Sequence, residues 1–83
     1  MNKEKAIRIA ESIEKQVEEY HSGLFEQGPG KWNPLCGQWL VYGFESYLGF
    51  CDAVELEALV ERAFRSKQPI KPVVATFLES WSA

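Results

Sequence analysis

Apolar residues recur through the first segment at helical spacing. Ala6, Ala10, Ile13, Val17, Tyr20 and Leu24 follow at alternating steps of four and three, with Ile9 and His21 widening the stripe. Lys3, Arg8, Glu11, Ser12, Glu14, Lys15, Glu18 and Ser22 fill the other side. The pattern predicts an amphipathic helix over 2–22, closed by Gly23 at C′ with Leu24 folding back onto it. Basic residues near its start and Glu18–Glu19 near its end oppose the helix dipole, so packing must hold it. The same steps suit a coiled-coil seam, which makes a homodimer the alternative to an intramolecular bundle. The stripe is shorter than the three heptads such a seam usually shows, and the bundle is favoured.

A second amphipathic unit follows Asp52. Leu56, Leu59, Val60, Ala63 and Phe64 occupy i, i+3, i+4, i+7 and i+8, with acids leading and Arg62, Arg65 and Lys67 closing. Asp52 and Glu55 have capping-box spacing, so the helix is expected over 52–67. Pro69 ends it. Pro72 then fits N1 of a last helix over 72–82, with Val73, Val74, Phe77, Leu78 and Trp81 on one side. That helix is expected to close the bundle.

Between these units lies WNPLCGQWLVYGFESYLGFC, Trp32 to Cys51, apolar nearly all round. Asn33-Pro34 reads as N-cap and N1, and Gly49 as the C-terminal stop. A β-hairpin over 35–50 competes, since Gly37 and Gly43 each cost a helix about 1 kcal/mol and Trp39–Tyr42 suits a strand. No primed-turn dipeptide splits the stretch, so helix is favoured. If it is one helix, Cys36 and Cys51 stand roughly 22 Å apart, too far for a disulfide, and both thiols should be free. Gly28-Pro29-Gly30 interrupts any regular element before it, leaving a loop framed by Leu24, Phe25 and Trp32.

These elements predict an all-α protein, a small four-helix bundle with helices about 2–22, 34–49, 52–67 and 72–82. The aromatic second helix is expected at its centre, in a single domain over 1–83.

Composition narrows the function classes. With 46% hydrophobic and 25% charged residues the chain is an ordinary globular one. A net charge of −3 argues against nucleic acid and against an anionic membrane surface. The opening residues lack the apolar run of a signal peptide, and a cytoplasmic protein is expected.

Catalytic chemistry finds little support. His21 is the one histidine, and a Cys–His pair with Cys36 or Cys51 is the only plausible nucleophile arrangement. The plainer reading is a histidine whose charge complements a helix C-terminus. His21, Cys36, Cys51 and Asp52 lack the close ligand pairs of a zinc site. The carboxylate pairs, Glu57–Glu61 among them, fall on faces assigned to solvent. No phosphate-binding glycine loop is present, and no helix is basic enough for DNA recognition. A non-enzymatic protein without cofactor or metal is the expectation.

Aromatic residues exceed structural need: Trp32, Trp39, Tyr42, Phe44, Tyr47 and Phe50 crowd a short stretch. Such residues anchor protein interfaces. The leading expectation is a small interaction module that occupies a partner's surface, as inhibitors, immunity proteins and phage anti-defence proteins do. Trp32, Phe25 and Tyr42 would be its contacts, with Glu18, Glu19 and Glu26 as an acidic rim. The alternative is a small-molecule binder with an aromatic-lined pocket between helices.

Overall fold

The computed structural model describes residues 1–22 and 30–81. Four helices follow in order: α1 (Lys3–Tyr20), α2 (Pro34–Leu48), α3 (Phe50–Arg65) and α4 (Ile70–Ser80). The fold is the expected all-α four-helix bundle, and the stretch over 35–50 is helix, not hairpin. Both cysteines are free, Cys36 buried and Cys51 exposed. Among the described residues no helix is long and apolar enough to cross a membrane.

Long-range contacts fix the direction of each helix. At one end of the bundle, the Asn33 Nδ2 before α2 donates to the Tyr20 carbonyl that closes α1 at 3.2 Å. At the other, Lys5 Nζ of α1 lies 5.1 Å from the ring centre of Tyr47 of α2. There too the Trp81 indole after α4 donates to Asp52 of α3 at 2.9 Å. The Met1 nitrogen donates to the Trp81 carbonyl at 2.8 Å. The helices therefore run up, down, up, down. α1 packs mainly on α4 and α2 mainly on α3, with α3 against α4 joining the two pairs.

The stripes read from the sequence form the core. Ala6, Ala10, Ile13 and Val17 of α1 meet Val74 and Leu78 of α4, while α3 adds Leu56, Val60 and Ala63. Fully burying a side chain such as Leu40 or Leu56 is worth about 1.5–3 kcal/mol each.

The ends depart from expectation in instructive ways. Asn33 caps α2 as expected, its Oδ1 accepting from the Leu35 amide at 2.9 Å, with Pro34 at N1. Gly49 alone joins α2 to α3, at φ 92° and ψ 153°, a conformation open to glycine and little else. Because that residue turns the chain at once, α3 starts at Phe50, ahead of Asp52. The Asp52–Glu55 capping box does not form, and Asp52 binds the Trp81 indole instead.

α3 closes in a Schellman motif: the Gln68 amide donates to Ala63 O at 2.8 Å and the Lys67 amide to Phe64 O at 3.1 Å. Lys67 occupies the left-handed position, φ 58°, where glycine is usual. α4 begins two residues before the expected start and places Pro72 in its first turn, where a missing N–H breaks no helical bond. Its N-terminus is capped from α1, Glu14 Oε2 accepting from the Lys71 amide at 3.0 Å. The Gly23 stop expected for α1 lies outside the described residues.

α2 packs mainly on α3, while α1 turns its apolar face to α4. α2 buries Cys36, Gly37, Leu40 and Leu48 and leaves Leu35, Tyr42 and Tyr47 exposed.

Candidate partner-binding groove

The side of α3 away from the core carries Phe50, Val54, Glu57, Glu61 and Arg65, at i, i+4, i+7, i+11 and i+15. That spacing is a single stripe along the helix. α2 lies beside it and offers Pro34, Gln38, Val41 and Tyr42. Between the two runs a groove of about 580 Å³, with Trp32 at one end. Its apolar walls are accessible: Tyr42 is 69% exposed and Phe50 56%, and Val54 is exposed as well.

Trp32 is held by a half-buried anchor. The His21 ring stacks on Phe64, centroids 4.1 Å apart, and lies 5.2 Å from Trp32, which meets Phe64 edge-on at 5.6 Å. His21 Nδ1 bonds the Val17 carbonyl at 2.7 Å, and the Asn33 amide donates to Nε2 at 2.9 Å. The tautomer that satisfies both is neutral, with its proton on Nδ1. His21 is thus a pin between α1 and α2, and the expectation of a cation at the α1 C-terminus is corrected.

Gly37 lets the two helices close on each other. A Cβ there would sit 3.1 Å from Glu57 Oε1 and 3.4 Å from the Trp32 indole nitrogen. Glu57 consequently lies over α2 and not free in solvent as its helix position suggests. Burial pushes its carboxyl up first, and the neighbouring Glu61 adds to the effect through its charge and a hydrogen bond. Beneath it the Cys36 thiol is pushed up to about 12, chiefly by burial and further by Glu57. A thiol in that state supplies no nucleophile.

Charge is unevenly distributed. From Pro34 to Glu61 the chain has five carboxylates (Glu45, Asp52, Glu55, Glu57, Glu61) and no Lys or Arg. Arg65 pairs with Glu61 at 3.0 Å, an i,i+4 surface pair.

Of the residues expected at a partner-binding site, Trp32 and Tyr42 both line the groove, but in different roles. Tyr42 is on the rim, whereas Trp32 is only 9% exposed and is chiefly a core residue. Phe25 and Glu26 lie outside the described residues. Glu18 and Glu19 are exposed on the last turn of α1, and Glu18 lines a separate depression with His21, Phe64 and Ile70. The structure does not bring Glu18 to the groove. Val54, Glu57 and Glu61 also line the groove, and none of them is a residue expected from sequence at a partner site; Phe50 figures only within the aromatic excess. The available signal was Val54, an apolar residue on α3's otherwise polar side, one turn from Phe50.

No protein-family model matches the chain, and no curated protein or solved structure is significantly similar to it.

Proposed function

We propose that this protein is a non-enzymatic interaction module that docks a protein partner through the outer face of α2 and α3. The observation that carries the reading is the grouping of exposed large apolar side chains. Leu35, Tyr42, Tyr47, Phe50 and Val54 all belong to this one hairpin. Of these, Tyr42, Phe50 and Val54 line one groove, whereas Tyr47 lies against Trp81 and Lys5. An exposed apolar patch marks an interaction site, and aromatic residues supply most of the energy in such sites. A chain of this size would act by covering a partner's surface, in the manner of an inhibitor, an immunity protein or a phage anti-defence protein. Two free thiols, one exposed, suit a reducing compartment such as the cytoplasm.

The groove volume also falls within the range of small-molecule sites, which favours an apolar ligand as the second reading. Such sites usually bury most of their ligand, however, and Tyr42, Phe50 and Val54 leave this one open along its length. A protein surface covers an open groove better.

The test compares proteins captured from the source cell by the wild type and by Tyr42→Ala/Phe50→Ala. The proposal expects a stoichiometric partner that the double variant loses while keeping its thermal midpoint. Identical capture by both chains refutes it. Thermal stabilisation by an apolar small molecule, abolished in the same variant, would favour the second reading.

A further inference from the structure

We infer that the occupant of the α2–α3 groove is a basic amphipathic helix of a protein partner. Its apolar stripe would lie on Tyr42, Phe50 and Val54, and an Arg or Lys would reach Glu57 and Glu61. This rests on the groove being the docking face proposed above, and adds the chemistry of what docks there.

Two antiparallel helices side by side, with an apolar trough between them, present the shape into which a third helix fits, through anchors at i, i+3, i+4 and i+7. The sign of the partner follows from charge. The groove's apolar end, Phe50 and Val54, passes along α3 into Glu57 and then Glu61. Phe50 to Glu61 spans roughly 16 Å of helix, three turns, so a partner helix would carry its cation two or three turns beyond its first apolar anchor. Among the described residues no Lys or Arg pairs with Glu57. Arg65 holds Glu61 only by an exposed pair of the kind worth a few tenths of a kcal/mol, which an incoming guanidinium can replace.

The same charge disfavours the other occupants. A second copy of this chain, docked through the groove, would offer as its only groove cation among the described residues Arg65, which already pairs with Glu61. Nucleic acid and anionic lipid are repelled by the same carboxylates.

The probe is a synthetic amphipathic helix about 18 residues long, with leucines at i, i+3, i+4 and i+7 and arginines flanking them. Its twin has every arginine replaced by glutamate. Titration calorimetry at several salt concentrations measures both against the wild type, Glu57→Gln/Glu61→Gln and Tyr42→Ala/Phe50→Ala. The expected result is binding of the basic peptide alone, weakened about tenfold by the glutamine variant and losing most of its salt dependence. The alanine variant should weaken it as well.

Equal binding of the glutamate twin would overturn the inference and leave the docking face standing. So would an unchanged affinity in the glutamine variant combined with loss in the alanine variant. Basic-peptide binding untouched by Tyr42→Ala/Phe50→Ala would overturn the docking face itself. No binding of either peptide would overturn the basic helix as occupant. Because the charge reversal is made in the peptide, the sign of the occupant is tested even if a protein variant fails to fold.

Discussion

Replacing His21 tests the anchor that sets the start of α2, and the structure supplies the magnitude. His21→Phe keeps a flat ring against Phe64 and Trp32, which stand 4.1 and 5.2 Å from the imidazole. It removes the acceptor of the Asn33 amide and the donor to Val17 O. Asn33 is only 1% exposed, so water does not readily replace the lost acceptor. Leaving a buried donor unsatisfied costs about 1–3 kcal/mol. His21→Ala loses the ring contacts as well, adding about 0.5–1.5 kcal/mol for the aromatic pair and a cavity term. For a domain of this size each kcal/mol lowers the midpoint by roughly 4–8 °C. Urea denaturation followed by circular dichroism should therefore rank wild type above His21→Phe, and His21→Phe above His21→Ala. The expected gap between wild type and His21→Phe is about 1–3 kcal/mol. A His21→Phe variant within about 0.5 kcal/mol of wild type would refute the pin, because shape alone would then account for the site.

Gly43 is an exposed glycine inside α2 where a Cβ would meet nothing within 4 Å, so Gly43→Ala should raise unfolding free energy by about 0.5–1 kcal/mol in urea. Lys67→Gly should stabilise by a similar amount, about 0.5–1 kcal/mol, by relieving the left-handed conformation at the end of α3; a loss of stability would contradict the strain. With its thiol pushed up to about 12 and buried, Cys36 should resist iodoacetamide at pH 8 in the folded protein while exposed Cys51 reacts, as mass spectrometry of the labelled chain will show. Glu57 has its carboxyl raised in the folded state, so folding favours its protonated form. The associated stability is fully present below the unfolded carboxylate range and is lost as pH rises through the raised value. Glu57→Gln should accordingly raise the thermal midpoint relative to wild type at pH 8, with the advantage shrinking toward pH 4; a pH-independent difference would count against the assignment.

Periodicity located α1, α3 and most of the core, while α2 and α4 needed the Asn33-Pro34, Gly49 and Pro72 signals as well. Ala6, Ala10, Ile13 and Val17 are buried where the stripe put them, as are Leu56, Val60 and Ala63. Helix ends were less legible because they depend on tertiary partners. Asp52 has the right spacing to cap α3, but Gly49 turns the chain first and Trp81 recruits the carboxylate. Pro72 fits N1 equally well in isolation; Glu14, fifty-seven residues away, makes the earlier start workable by holding the Lys71 amide.

The site was legible only in part, for a related reason. An apolar helix such as α2 is equally compatible with burial on all sides and with burial on one side beneath an open face. The pairing of α1 with α4, which decides between them, is a choice among faces that local patterning does not rank. Trp32 looked like a loop aromatic available for contact, and the Phe64 ring and the Asn33–His21 bond draw it into the core. Glu57 looked solvated because its place on α3 is polar, and only the glycine at 37 on a different helix brings it over apolar surface.

The most direct test of the claim that the α2–α3 face is left free for another protein is solution mass by light scattering across a concentration series. The account predicts a single species near 9.5 kDa at every concentration, identical for wild type and for Tyr42→Ala/Phe50→Ala. A stable dimer in the wild type that the double variant converts to monomer would contradict it, since the face would then be covered by a second copy of the chain.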